Sequence, residues 1–376
     1  MASQHYLARR LFDGWHWHEN RTISVENGVI AGFSLVDDSA ATVLEGTLVP
    51  GFIDVQVNGG GGVLFNQTPT LACLDTMVAA HARFGTTAML PTLITDDIHK
   101  MAQAADAVAE ALARQRPGII GIHFEGPHLS LPKKGIHKAQ HIRRLSGAEM
   151  ALYCRTDLGV RVVTVAPENL HPDDIRALVA AGVKVCLGHS DADFDLVQQA
   201  LAAGASGFTH LFNAMSQLGS RQPGMVGAAL TGNGVCGIIL DGHHLHPACA
   251  RLAYLAKGAQ GLMLVTDAMA AVGSSASEFA YFDDTLYRQG DRLTDKDGRL
   301  AGSALDMASA VRNAMAQMHI AQDQALAMAS RTPAQFLGLA DRGLLEPGKQ
   351  ADMVLLDDQG QVSASWIAGK QAWPQP

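Results

Sequence analysis

The chain is poor in charge, aromatic rings and cysteine. Charged residues are 17% of its 376 positions and aromatics 6%. Its five cysteines are Cys73, Cys154, Cys186, Cys236 and Cys249, and they form no CxxC pair. An odd count without paired spacing argues against a disulfide framework and against a thiolate metal site, and fits a reducing cytoplasm. No apolar run approaches the ~18 residues of a membrane span. The opening segment MASQHYLARRLFDG lacks the apolar stretch of a signal peptide, so a cytoplasmic protein without a membrane partner is expected. Basic residues are scarce as well: 28 Lys and Arg against 36 Asp and Glu give a net charge of −8. Nucleic acid is therefore excluded as the main partner, because phosphate backbones need a basic surface. A local anion site remains compatible with that balance.

Apolar residues, glycine and histidine are plentiful. At 48% hydrophobic the chain can bury a large core, and it carries 38 glycines and 16 histidines. Glycine lets backbone approach a ligand closely, and imidazole serves as metal ligand or proton carrier.

Both ends read as short strands. Asn27-Gly28 is a strong hairpin signal, and two apolar runs near the C-terminus flank Asp358, Gln359 and Gly360. Between the ends, continuously apolar runs alternate with helical stretches. Eight runs read as strands: 52–57, 86–93, 119–126, 160–167, 183–189, 207–213, 236–242 and 261–268. Segments 101–115 and 193–204 read as helices between them. Apolar strands alternating with helices give a parallel sheet covered on both faces. Eight such units predict an α/β fold, a (β/α)8 TIM-like barrel, over a doubly wound open sheet. The predicted domains are the barrel over 50–344 and a small β-sandwich built from 1–49 and 345–376. Residues 214–235 read as Gly-rich and helix-poor, and 270–302 as a long insertion.

Polar residues gather where these strands stop. Glu125 ends the third, His189 the fifth, Asp241 the seventh and Asp267 the eighth, while His210 lies in the sixth. In a β/α barrel the C-terminal strand ends share one mouth, where active sites are built. Two imidazoles and a carboxylate make a three-ligand catalytic metal site, so Glu125, His189 and His210 are the proposed ligands. One divalent ion is expected, zinc first, with iron, cobalt and manganese also suited to N and O ligands. Such an ion lowers the pKa of water toward ~7. Asp267 is left over to move a proton. His137, in a Lys- and Gly-rich loop, could polarise a substrate carbonyl. His123, on the same strand face as Glu125, reads as a packed, hydrogen-bonded barrel residue, and His16-Trp17-His18 as an exposed hairpin. His128, His141, His243 and His246 read as surface or supporting residues, and Cys186 and Cys236 as strand packing. Asp241 reads as orienting the loop of His244.

These residues sit in segments that resemble the N-acetylglucosamine-6-phosphate deacetylases of the amidohydrolase superfamily. The segments are PGFIDVQVNGGGG (50–62), HFEGPHLSLPKKGIHKAQHI (123–142), VTVAPE (163–168), LGHSDAD (187–193), THLFNAMSQL (209–218), ILDGHHLHP (239–247), LVTDAMAAVG (264–273) and EPGKQADMVLLD (346–357). The likeness spans nearly the whole chain, in order. The superfamily usually has HxH after PGFID, where this sequence has Gln56-Val57-Asn58, so the resemblance is to single-metal deacetylases. It implies Glu125, His189 and His210 as metal ligands, Asp267 as acid/base, and His137 at the substrate carbonyl. It further implies that Asn213 and Ala214 meet the sugar phosphate, that His244 lies near it, and that Arg221 reaches it from a neighbouring subunit of a homodimer. The implied reaction is hydrolysis of N-acetylglucosamine 6-phosphate to glucosamine 6-phosphate and acetate. The N-acetylgalactosamine 6-phosphate version differs at one hydroxyl and stays open. A cyclic-amide hydrolase is disfavoured by Gln56 and Asn58, and a catalytically silent sugar-phosphate-binding paralogue by the presence of all four site residues.

Overall fold

A computed structural model of the protein describes residues 3–34, 41–282 and 284–374. Eight parallel strands form one sheet: Phe52–Val57, Thr86–Ile94, Gly121–Glu125, Val160–Val165, Lys184–Leu187, Gly207–Phe208, Val235–Ile238 and Leu262–Leu264. They neighbour one another in sequence order, and a parallel bridge between Val57 and Ala268 brings the first strand back to the eighth. The sheet therefore curls into a nearly closed barrel. Every residue of Thr86–Ile94 is buried, as expected of a strand with helices outside and packed side chains inside.

The helices follow from capping and spacing. Ile98–Ala113 starts where the Asp97 side chain accepts hydrogen bonds from the backbone N–H groups of His99 and Lys100. Its buried residues, Met101, Ala104, Ala105, Ala107, Val108 and Ala111, make one apolar stripe. Phe194–Ala202 is capped in the same way by Asp193.

The chain ends meet in a single seven-stranded sheet. Gln4–Phe12, Trp17–Glu26, Val29–Ser34 and Thr42–Pro50 come from the N-terminus, and Met353–Leu356, Val362–Ile367 and Lys370–Trp373 from the C-terminus. Thr42–Pro50 pairs with Met353–Leu356 and so stitches the two ends together. The sheet has its own apolar core, including Tyr6, Ile23, Leu48, Met353 and Trp366. At the hairpin, Asn27 and Gly28 have φ of 51° and 82°, the signs a type I′ turn requires.

Three segments differ from the sequence reading. The sixth strand ends at Phe208 rather than at 213, so His210 lies just beyond it and not within it. Residues 214–235 contain a helix, Gly224–Thr231, buried at every position but its last. Glycine lowers helix propensity, but here burial of small residues outweighs it. The 270–302 insertion is built around a three-stranded antiparallel sheet, Glu278–Tyr281, Asp284–Gln289 and Arg292–Thr294. Phe279, Leu286 and Leu293 pack it against Met269 and Ala301. Its Tyr281 hydroxyl donates to the Ile136 carbonyl at 3.3 Å, next to His137. Among the described residues no helix is long and apolar enough to cross a membrane.

Candidate active site

The barrel delivers Glu125, His189 and His210 to one point. Glu125 closes the third strand, and the two histidines follow just beyond the fifth and sixth. The Glu125 Oε1 lies 3.1 Å from His189 Nε2 and 3.0 Å from His210 Nε2, and the two nitrogens are 2.9 Å apart. All three side chains are buried. His189, His210 and Asp267 have φ of 48°, 32° and 50°, a region non-glycine residues rarely adopt. That turn is what aims each side chain inward after its strand has ended, and such strain clusters at functional sites.

Charge and proton positions agree with metal binding. Burial alone would raise the Glu125 carboxyl, but the neighbouring imidazoles of His189 and His210 outweigh it and hold the group well below the usual range. Nδ1 of His189 lies 2.8 Å from the Lys133 carbonyl, so it carries the proton and Nε2 presents a lone pair. Nδ1 of His210 is buried without a partner. Two imidazole nitrogens facing each other beside a carboxylate suit a divalent cation, and among the described residues this is the one cluster whose ligand atoms converge within 4.8 Å.

Around the triad lies a cavity of about 210 Å³, lined by Asn58, His137, Asn213, Ala214, His244 and Asp267 among others. Asp267 is buried, which pushes its carboxyl up to about 6, with the Glu125 charge acting in the same direction. His137 accepts a hydrogen bond at Nδ1 from the Thr95 backbone N–H at 3.3 Å, leaving Nε2–H as its donor. Burial, then the neighbouring His189, keeps this imidazole neutral by pushing its pKa well below the usual value. His244 is gripped by Asp241: Oδ2 meets Nδ1 at 2.6 Å, while Oδ1 accepts from the backbone N–H groups of His243 and His244. Burial would raise Asp241, but those bonds hold it at about 2.

Residues 47–372 match the amidohydrolase family. The chain belongs to that family. The N-acetylgalactosamine-6-phosphate deacetylase of Shewanella sp. (strain ANA-3) is 54% identical to this amidohydrolase over 360 residues, covering 94% of this chain and 91% of that one. The crystal structure of N-acetylglucosamine-6-phosphate deacetylase from Pasteurella multocida matches with a TM-score of 0.95 at 33% identity, covering 98% of this chain and 99% of that one. A mutant of the Mycobacterium smegmatis N-acetyl-D-glucosamine-6-phosphate deacetylase, in complex with N-acetyl-D-glucosamine-6-phosphate, matches with a TM-score of 0.93 at 29% identity and covers 99% of this chain and 100% of that one.

Of the residues singled out in the amidohydrolase sequence, Glu125, His137, His189, His210, Asn213, Ala214, His244 and Asp267 share the cavity. Arg221 does not: it is exposed, in the loop before Gly224–Thr231, and lines no part of that cavity. His123 sits inside the barrel between the Val55 carbonyl at 2.9 Å and the Thr164 hydroxyl at 2.7 Å. His18 contacts Asp13 at 2.7 Å while His16 is exposed, and the pair joins no ligand cluster among the described residues. The sequence reading missed Thr95, because a threonine in a strand is an ordinary β-former. It also passed over what Gln56 and Asn58 do, having weighed them only as metal ligands.

Proposed function

We propose that this amidohydrolase removes the acetyl group from an N-acetylhexosamine 6-phosphate, giving the amino sugar phosphate and acetate. The convergence of Glu125, His189 and His210 opposite Asp267, in one cavity of substrate scale, carries the reading. Glu125, His189 and His210 would hold one divalent ion, zinc by preference. When bound there, the ion supplies Lewis-acid polarisation and lowers the pKa of water toward neutrality. Asp267 accepts the proton given up as a water oxygen bonds to the acetyl carbon. It then donates that proton to the departing nitrogen as the C–N bond breaks. Nε2–H of His137 stabilises the negative charge that develops on the carbonyl oxygen.

The phosphate end is met by His244, Asn213 and Ala214, joined by Arg221 from a second subunit. The net charge of −8 repels a dianion, so local imidazole, guanidinium and amide donors are what retain it. The motifs leave the epimer open. The 54% identity to a Shewanella deacetylase named for N-acetylgalactosamine 6-phosphate favours the galacto epimer, against 33% for the Pasteurella structure named for the gluco sugar. The test is kcat/KM on both epimers, each with and without the phosphate. The expected order places phosphorylated N-acetylgalactosamine first and both unphosphorylated sugars far behind. Equal rates with and without phosphate would remove the phosphate roles.

A further inference from the structure

The two oxygens of Asp267 have unequal surroundings. Oδ1 accepts from Asn58 Nδ2 at 2.6 Å and from Gln56 Nε2 at 3.2 Å. Oδ2 has no hydrogen-bond partner among the described residues. Both donors come from the first barrel strand and the residue after it, and both are buried, at 1% and 4% exposure. Amide nitrogens toward the carboxylate are the sensible orientation, since amide oxygens there would meet like partial charge.

The backbone holds this arrangement independently of the side chains. Asn58 N–H donates to the Ala268 carbonyl at 2.9 Å, Phe65 N–H donates to the Asn58 carbonyl at 2.9 Å, and Asp267 N–H donates to the Gln56 carbonyl at 3.0 Å. The amide donors are therefore not required to join the first strand to the eighth.

We propose that Gln56 and Asn58 are positioning residues which saturate Oδ1 of Asp267 and so reserve Oδ2 as the oxygen that takes and returns the proton. The inference rests on the reading of Asp267 as the acid/base. A carboxylate with one oxygen doubly hydrogen-bonded cannot swing, and its remaining lone pairs face the reaction space. The donors also support the ionised form, which a proton acceptor must be in to act. Asp267 needs that support. Burial raises it, Glu125 from the third strand adds like charge, and Asp54 on the first strand interacts unfavourably with it. His210 after the sixth strand and His244 after the seventh oppose them.

The test uses near-isosteric neutral variants, Gln56→Met and Asn58→Leu, with Asn58→Ser as a smaller alternative that cannot overpack. The pH dependence of kcat and kcat/KM on the acetylated sugar phosphate is measured, with metal content and melting temperature as controls. The Asn58 variants are expected to lose about 10- to 100-fold in kcat, the scale of a hydrogen bond to a charged group. Gln56→Met should lose less, because its bond is longer. KM should stay within about two-fold, since ground-state binding is untouched. The acid limb of kcat/KM should move to higher pH. A rise in KM with kcat and the acid limb unmoved overturns the inference. It fails alone if Asp267→Asn is inactive while the Gln56 and Asn58 variants behave as wild type. If Asp267→Asn turns over normally, the acid/base reading fails and takes this inference with it.

Discussion

The Thr95 backbone N–H donates to Nδ1 of His137, while the Thr95 hydroxyl, 2.8 Å from the same nitrogen, also reaches the Glu125 carbonyl at 3.3 Å. One residue thus couples the His137 imidazole to the strand that carries Glu125. The backbone bond favours the tautomer with the His137 proton on Nε2.

That coupling predicts a division of effects. His137→Ala should lower kcat by about 10²–10³, the usual cost of one oxyanion donor. Metal content should not change, because Glu125, His189 and His210 remain. Elemental analysis beside steady-state kinetics checks both. Loss of metal together with activity would assign His137 a ligand role instead.

Arg221 predicts complementation between subunits. Arg221→Ala and Asp267→Asn should each be weak alone. Mixed and allowed to exchange subunits, they should recover activity, because a heterodimer holds one site with both residues intact. No recovery after verified exchange would place Arg221 outside the neighbouring site.

Asp54 predicts a pH-dependent stability term. It is fully buried, and burial pushes its carboxyl from 3.8 to about 7 despite hydrogen bonds from Thr266 and Gln56. Its folded value lies above the unfolded one, so the fold favours the protonated form. That contribution is present below pH 3.8 and is lost as pH rises through about 7. Asp54→Asn should therefore flatten the fall in melting temperature over that interval relative to wild type. Parallel curves for the two proteins would count against it.

Arg331 predicts a purely structural loss. Its guanidinium lies 3.6 Å over the Trp15 ring and donates to the Gly14 carbonyl, tying the terminal sheet to the barrel. Arg331→Ala should cost about 2–4 kcal/mol of stability, from lost stacking and a lost charged hydrogen bond. Denaturant unfolding measures this, and kcat at low temperature should stay near wild type.

The sequence showed the barrel strands well because most are short, mainly apolar or β-branched runs bounded by turn residues, as Thr86–Ile94 illustrates, and Phe52–Val57 kept that character despite Asp54 and Gln56. It also pointed to Glu125, His189 and His210 as one cluster, because a carboxylate and two imidazoles at the ends of the third, fifth and sixth strands share one barrel mouth. The positive φ at His189, His210 and Asp267 left no trace in it, because glycine is the usual signal and none of the three is glycine. The three-stranded sheet in the insertion was equally hidden: Glu278–Tyr281 and Arg292–Thr294 are too short to establish a period. The pairing of Asn58 with Asp267 spans 209 positions and depends on barrel closure, which no local pattern encodes.

The most direct test strips the protein of metal, returns a divalent ion stepwise, and counts acetate released from N-acetylhexosamine 6-phosphate, with Asp267→Asn run in parallel. Activity should rise to a plateau at one ion per subunit, while Asp267→Asn binds the same single ion and releases almost no acetate. Acetate release that ignores the metal, or that continues at the wild-type rate in Asp267→Asn, would contradict the account.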